Sequence, residues 1–427
     1  MKNTFYSDFD TERLIPDLRE DDYRSPFQID RDRIIHSSEF RRLQGKTQVF
    51  LPGEYDFYRT RLTHSIEVAQ IGRSICNFLN KKEKNFLSDD YFIDSDLVEA
   101  SCLTHDLGHP PFGHAGERTL NQLIQPYGGF EGNAQTLRLI TDILYRSETG
   151  RRGMNPSRAF IDSILKYKSL FKHFDKPKNH FLYDYQEEFI SFVFRGVNIF
   201  EHFAPGKELN SFRSIECMIM DWADDTAYAI NDLVDSISGG FITIEKLHSW
   251  QRANEDSITL KEMEHLEEML SWIKSGKYKA KFGSQIGDFI NACKLKSRET
   301  PLNSLTNRYK YELCVDEEIN QKADFYKRIS VQLVFQSPQL HQMEFKGNQM
   351  LANIFDVIKY NYIEKVGMKL LPDFTGEIIL KAKNEMERAR LACDYIAGMT
   401  DVYAMRTYRR LFDPEYSSIV DLISLKE

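Results

Sequence analysis

Apolar residues recur along most of the chain at intervals of three and four, the period of a helix with one buried face. Between Leu62 and Leu79 the positions Ile66, Ala69, Ile71, Ile75, Phe78 and Leu79 fit an amphipathic helix better than an alternating strand. Asp94 to Leu107 reads the same way, with Ser95 as its cap and Leu97, Ala100, Leu103 and Leu107 on one face. Further helices are predicted from Asn133 to Tyr145, Phe212 to Ile237, Leu260 to Ile273, Asn348 to Val366, and Ile378 to Leu411 with a break near Gly398. Period-two alternation is scarce, and only Gln48 to Leu51 and Phe241 to Ile244 invite a strand. The pattern predicts an all-α protein. Breaks fall at Tyr127-Gly128-Gly129, Gly150 to Pro156, Pro205-Gly206 and Gly239-Gly240, each too short for a flexible linker. The charged stretch from about 241 to 300 reads as peripheral helices.

Composition narrows the classes. At 427 residues, with 41% hydrophobic and 28% charged positions, the chain can bury a sizeable core and is not of disordered type. The formal charge of -8 leaves no net positive field to draw in nucleic acid or an anionic membrane, so a polyanionic ligand needs a local basic cluster or a metal. Local basic patches are Arg151-Arg152, Lys166 to Lys172, and Arg406 with Arg409-Arg410; each is expected to be a salt-bridged helix surface. Six scattered cysteines form no CxxC pair, and they read as small buried hydrophobes. The polar N-terminus has no targeting pattern, and no apolar run reaches the roughly 18–20 residues of a membrane span. A cytoplasmic protein without membrane contact is the expectation.

Chemistry concentrates in one window, where three of the eleven histidines fall within ten residues: His105-Asp106-Leu107-Gly108-His109-Pro110-Pro111-Phe112-Gly113-His114-Ala115-Gly116-Glu117. Gly108 and the double proline end a helix there, so adjacent His105 and Asp106 can turn towards one point and the loop can bring His109, His114 and Glu117 close. His64 opens the preceding predicted helix. Farther on, Asp221, Asp224 and Asp225 lie within an apolar-patterned helix, and Asp224, Tyr228 and Asp232 share one face at i, i+4 and i+8. A carboxylate buried on such a face needs a cation or hydrogen bonds. Two imidazoles and two carboxylates, from His64, His105, Asp106 and Asp224, suit manganese, iron, magnesium or zinc.

These residues carry a resemblance. The chain resembles the HD-domain superfamily of metal-dependent phosphohydrolases, whose signature is His, then HisAsp, then Asp. More narrowly it is similar to the deoxyguanosine triphosphate triphosphohydrolase family. The matching blocks are Phe40 to Phe50, Arg59 to Ser65, His105 to Glu117, Glu131 to Gln135, Ala223 to Tyr228 and Cys393 to Asp401, in the family's order. The strings HDLGHPPFGHAGE and CDYIAGMTD are the specific ones.

The resemblance implies an HD-type helical core at 25–240, completed by a helical part at 241–427 in one continuous body. It implies His64, His105, Asp106 and Asp224 as metal ligands, with manganese or magnesium ahead of iron, cobalt, nickel or zinc. Asp224 is chosen over Asp221 and Asp225 because the family's ligand stands four residues before a substrate-facing tyrosine, here Tyr228. His114 becomes the catalytic histidine, held by Glu117, with His109 on phosphate or assisting as an acid. Gln48, Arg61 and Asp232 are expected at the sugar and α-phosphate, Lys166 and Tyr167 at the triphosphate and sugar, and Asn155 as a further polar contact. The implied reaction is hydrolysis of a dNTP at the α-phosphorus, dGTP favoured, to deoxynucleoside and inorganic triphosphate. A homo-oligomer between dimer and hexamer, a nucleotide effector, and single-stranded nucleic acid as a regulator also follow by analogy. The rival readings are another HD phosphohydrolase, a nucleotidase or phosphodiesterase, and a catalytically weak nucleotide sensor or nucleic-acid-binding regulator. The chain departs from the family pattern at Gly132, Val402, Lys168 and Gly153 to Ser157.

Overall fold

A computed structural model describes residues 3–16, 22–50, 58–145, 153–365 and 367–416. Leu51, Gly150, Arg151-Arg152 and Val366 lie outside the described residues, so the expectations that fall on them have no structural counterpart here.

The fold is all-α, and its single sheet among the described residues is a two-stranded antiparallel ribbon. The helix Ile215–Ser238 is its axis. Most of it is buried, from Ile215 and Cys217 through Ala223 and Ile230 to Ile237, while Asp224, Asp225 and Tyr228 stay half-buried on a face that lines a cavity. Against it pack Arg61–Lys82, Ser95–Thr104, Tyr278–Asn291 and Glu317–Ser330. At its start the carboxylate of Glu216, fully buried, accepts from Arg308 Nε at 3.0 Å and from the Tyr6 hydroxyl at 2.7 Å. Arg308 also donates to Asp162 Oδ2 at 2.9 Å, so one guanidinium is shared between two buried carboxylates.

Two apolar cores result. The larger runs from Phe5 to Leu340. In the smaller, Phe112, Leu120, Ile124 and Phe130 meet side chains from Met350 to Ala404, so the C-terminal helices clasp the helix Gly113–Ile124.

Most predicted helices are present, with shifted ends. Arg61–Lys82, Ile215–Ser238 and Leu260–Lys274 match closely. The predicted cap Ser95 is wrong by one residue: Asp94 caps, accepting from Asp96 N at 2.8 Å and Leu97 N at 3.3 Å, because its longer acceptor reaches two orphan donors. The Asn133 to Tyr145 helix is Gly132–Arg138 followed by a wider π turn at Leu139–Ile143. The helix predicted from Asn348 begins ten residues earlier, with Ser337 as cap and Pro338 in its first turn, and runs to Ile358 before a π turn at Lys359–Glu364. Ile378 to Leu411 is three helices: the break at Gly398 is there, but a second falls before Asn384, which caps Glu385–Ala397.

Both predicted strands fail. Thr47 makes only an isolated bridge to Thr60, and Gln48 to Phe50 are irregular. Phe241 to Thr243 lead into the helix Ile244–Ala253, which Thr243 caps. The strands are Cys293–Ser297 and Tyr311–Val315, paired from Cys293 with Val315 to Ser297 with Tyr311. The first lies in a stretch read as helical, where its lysines at alternate positions hid a half-buried strand.

Candidate functional site

Four elements deliver the polar cluster. Thr60 caps the helix Arg61–Lys82, and His64 occupies its buried face in the first turn. His105 ends the helix Ser95–Thr104, where its Nδ1 and the carbonyl of Cys102 lie at 2.6 Å. That bond fixes the ring with Nδ1–H donating and leaves Nε2 as a lone-pair donor. Asp224 comes from the central helix; its Oδ1 is 3.1 Å from His64 Nε2 and 3.5 Å from His105 Nε2. Asp106 Oδ2 lies 3.6 Å from His105 Nε2.

These separations resemble the roughly 3 Å between adjacent ligands on an ion with bonds near 2.1 Å. Donor atoms of His64, His105 and Asp106 all lie within 4.8 Å of one another. His105 Nε2 is buried and makes no hydrogen bond, the state expected of a metal-directed nitrogen. His64, His105 and Asp106 thus cluster closely enough to hold a divalent ion, and Asp224, whose Oδ1 meets both imidazoles, is the aspartate of its helix that faces them. Its neighbours are otherwise engaged: Asp221 pairs with Lys166 at 2.6 Å and with Arg213, and Asp225 pairs with Lys327 at 2.8 Å.

The electrostatics agree with the geometry. Burial works against charge on His105, but Asp106 and Asp224 outweigh it and hold the imidazole up at about 9, so without a cation Nε2 carries a proton that a bound ion would displace. Burial likewise opposes the Asp106 and Asp224 carboxylates. Arg61 and His105 nevertheless keep Asp106 far below the ordinary range, and His105 and His64 do so for Asp224. Arg61, expected at substrate, is an ion-pair partner of Asp106 here.

The loop after Asp106 is shaped by its backbone. Gly108 approaches the helix Gly132–Arg138 so closely that a Cβ there would stand 2.3 Å from the Gly132 carbonyl, and its N–H donates to Thr136 Oγ1 at 2.9 Å. Phe112 and Gly113 then take left-handed φ values of 62° and 58°, which turn the chain into the helix that carries His114 and Glu117. Asp401 holds that turn from behind. Its Oδ1 accepts from Phe112 N at 3.0 Å, and its Oδ2 accepts from Thr47 N at 2.9 Å and from the Thr47 hydroxyl. Lys46 adds a second tie, donating to the carbonyls of His109 at 2.6 Å and Ala397 at 2.9 Å.

Across from the ligand set, His114 Nδ1 meets Glu117 Oε2 at 3.1 Å, and Glu117 Oε1 accepts from Gly132 N at 2.7 Å. Burial would raise Glu117, but the hydrogen bonds from His114 and from the Gly132 N–H hold it below its usual value. His114 is largely exposed to the cavity, so its Nε2 is left towards whatever binds there. His109 Nδ1 lies 3.1 Å from Asp106 Oδ1; burial pushes this imidazole down to about 4, so it is neutral near pH 7.

All these groups line one cavity of about 480 Å³, an ordinary size for a small-molecule site. Gln48, Arg61, Lys166, Tyr167, Tyr228 and Asp232 line it too, whereas Asn155 does not. Asn155 is a correction: with φ at 53° its side chain accepts from Ile15 N at 3.0 Å and donates to Ile15 O at 2.8 Å, so its amide fastens the N-terminal segment. Sequence reading missed Glu131, Asn133, Asn179, His180, Lys327, Val331 and Phe335 on the same wall. The Glu131 to Gln135 block pointed at the first two, but nothing in the sequence singled out Asn179-His180 or Val331 to Phe335.

The cavity has a direction. Along the central helix, Asp232 lies about 12 Å beyond Asp224 at 1.5 Å per residue, while Asp221 lies about 4.5 Å the other way. The Asp232 end carries Tyr228 and Phe335, parallel rings 6.0 Å apart. Lys166, Tyr167 and His180 gather at the Asp221 end. The ligand set stands between an aromatic end and a basic one.

Comparison with known proteins gives the same reading. The HD domain matches residues 61–229, and the phosphohydrolase-associated domain matches residues 313–410. A deoxyguanosinetriphosphate triphosphohydrolase-like protein of Vibrio cholerae is 35% identical over 93% of this chain and 95% of its own. Like-named proteins of Shewanella sediminis and Deinococcus radiodurans are 33% and 34% identical, covering 95% and 96% of this chain and 96% and 98% of theirs. Identity at this level, sustained almost end to end and joined to the HD-domain match, means that the chain belongs to the deoxyguanosinetriphosphate triphosphohydrolase-like family of HD-domain phosphohydrolases.

Proposed function

We propose that this protein hydrolyses dNTPs, dGTP foremost, at the α-phosphorus and releases deoxynucleoside and inorganic triphosphate. The observation that carries the reading is the direction of the cavity, with a divalent-ion ligand set between an aromatic end suited to a nucleoside and a basic end suited to polyphosphate. A divalent ion, manganese or magnesium first, held by His64, His105, Asp106 and Asp224 would supply Lewis-acid polarisation of the phosphoryl group and activation of water. The oxygen of water joins the α-phosphorus, the bond from phosphorus to O5′ breaks, and the deoxynucleoside leaves as the alcohol.

The chain's own groups divide the remaining work. Glu117 fixes the His114 tautomer, so His114 Nε2 is the atom that moves a proton in the cavity. His109, neutral with Nδ1–H towards Asp106, presents Nε2 as an acceptor to water or to a protonated phosphate oxygen. Lys166, kept charged by Asp221 and Asp224 despite its burial, balances the polyphosphate. Gln48 and Asp232 have buried oxygens without partners and take the sugar hydroxyl, while Tyr228 and Phe335 form the apolar wall beside it. Residues 25–240 are the catalytic core in this reading, and 241–427 complete it through Lys327, Phe335 and Asp401. A cytoplasmic homo-oligomer, dimer to hexamer, with a nucleotide effector or single-stranded nucleic acid as regulator, belongs to the same proposal.

The test is the initial rate with each of the four dNTPs and GTP, with manganese or magnesium, with and without a second nucleotide. The proposal expects dGTP to be fastest and GTP slow. Equal rates on ribo- and deoxynucleotides would remove the sugar contact from it, and no turnover in any mixture would favour a sensor.

A further inference from the structure

The basic end of the cavity holds an imidazole that the mechanism above does not use. His180 has a left-handed φ of 64°, a conformation uncommon for residues other than glycine, although histidine takes it more readily than most side chains. The surrounding structure enforces it from two sides. Asn121 donates to the carbonyls of Pro177 at 3.0 Å and Lys178 at 2.8 Å, and Asn210 donates to the carbonyl of His180 at 3.1 Å. Asn121 belongs to the same helix as His114 and Glu117, so the loop is registered to the catalytic helix.

This backbone lays the His180 ring on Tyr167, with centroids 4.3 Å apart and planes 24° apart. The residue is exposed, and among the described residues no protein group hydrogen-bonds its ring nitrogens, so the stack leaves the imidazole edge open to solvent and to a ligand. Tyr167, Asn179 and His180 line both the ligand-set cavity and a neighbouring cavity of about 800 Å³, whose wall carries Lys178, Lys207 and Arg213. The stack is therefore the partition at which the catalytic cavity ends on its basic side. Lys166 Nζ lies 3.8 Å from Asp224 Oδ2, and its chain neighbour Tyr167 carries the stack, so the partition adjoins the His/Asp cluster on this side.

We propose that His180 contacts the terminal phosphate of the substrate and sets the preference for a triphosphate over a diphosphate, an inference that rests on the reading of the cavity as a dNTP site. A diphosphate is one unit shorter and leaves the imidazole edge unmet. Strain held at a ligand-facing position is what such a role predicts, because a glycine there would satisfy the backbone without the contact.

The experiment uses the full chain with manganese and the variants His180→Gly, which keeps the left-handed backbone, and His180→Asn, which tolerates it and keeps a short donor. KM and kcat for dGTP are measured together with binding of inorganic triphosphate and pyrophosphate by calorimetry. Loss of one hydrogen bond to a charged group predicts KM for dGTP and Kd for triphosphate raised about tenfold in His180→Gly. Affinity for pyrophosphate should be unchanged, kcat should fall less than about threefold, and the thermal midpoint should not be lowered. His180→Asn should lie between. Equal weakening of triphosphate and pyrophosphate, or no weakening of either, overturns the proposal. Failure of the wild type to turn over dGTP would count against the dNTP reading alone, and the two binding measurements would still decide the role of His180.

Discussion

Asp232 offers the sharpest quantitative test of the cavity, because it is costly to the fold and useful only to a ligand. Its side chain is 1% exposed, and neither carboxylate oxygen has a partner. Burial, reinforced by Asp235, pushes this carboxyl from 3.8 up to about 7, with His64 and Arg59 opposing. At about 1.4 kcal/mol per pH unit, that rise corresponds to about 4 kcal/mol of instability once the group is ionised in both states. The sign follows from proton count. Between about pH 4 and 7 the folded protein keeps a proton that the unfolded chain has lost, so stability falls as pH rises through that window and is level above it. An asparagine at this position has no proton to lose. Asp232→Asn should therefore gain about 2 kcal/mol at about pH 5 and about 4 kcal/mol at about pH 8. For a chain of 427 residues the latter is a rise of about 4–5 °C in Tm. The assay is thermal and urea unfolding of chelator-treated protein at both pH values, alongside KM for dGTP. A stabilised variant with raised KM is the expected result. A stability gap equal at both pH values, or a variant less stable than wild type at about pH 8, would refute the reasoning.

Other consequences follow from the same geometry. His105→Ala should lose divalent-ion binding and turnover together, whereas His114→Ala should bind the ion normally and lose about 10²–10⁴ in kcat, as ion titration and rate measurements would show. Asp401→Asn should lower kcat about 100-fold with ion affinity within a few-fold of wild type, because the turn at Phe112 that presents His114 loses its anchor; Thr47→Val should show a milder loss of the same kind. Arg308→Met leaves Asp162 and Glu216 buried without their cation and should cost about 3–5 kcal/mol in urea unfolding.

The parts of the fold legible in the sequence were those written in one dominant period. Arg61–Lys82 and Ile215–Ser238 carry long apolar stripes, and their positions came out within a few residues. Short elements set by partners were not legible. Cys293–Ser297 is a strand because Tyr311–Val315 lies beside it, and the π turns at Leu139–Ile143 and Lys359–Glu364 leave no mark on hydrophobic spacing. The His105 to Glu117 window stood out because histidines and carboxylates are dense in it, whereas His64 and Asp224 were tied to it as ligands through the family resemblance. Asn155 misled, since a polar residue in a block that departs from the family pattern can serve the backbone as well as a ligand. His180 went unnoticed because its distinction is a φ angle and a stacked neighbour, and neither is written in residue order.

The central claim is the bond that breaks, and hydrolysis of dGTP in ¹⁸O-labelled water with manganese reads it directly. The account predicts unlabelled deoxyguanosine and a single labelled inorganic triphosphate, because the oxygen of water ends on the α-phosphorus. Pyrophosphate with labelled monophosphate, or orthophosphate with diphosphate, would contradict it and assign the cavity to another phosphohydrolase reaction.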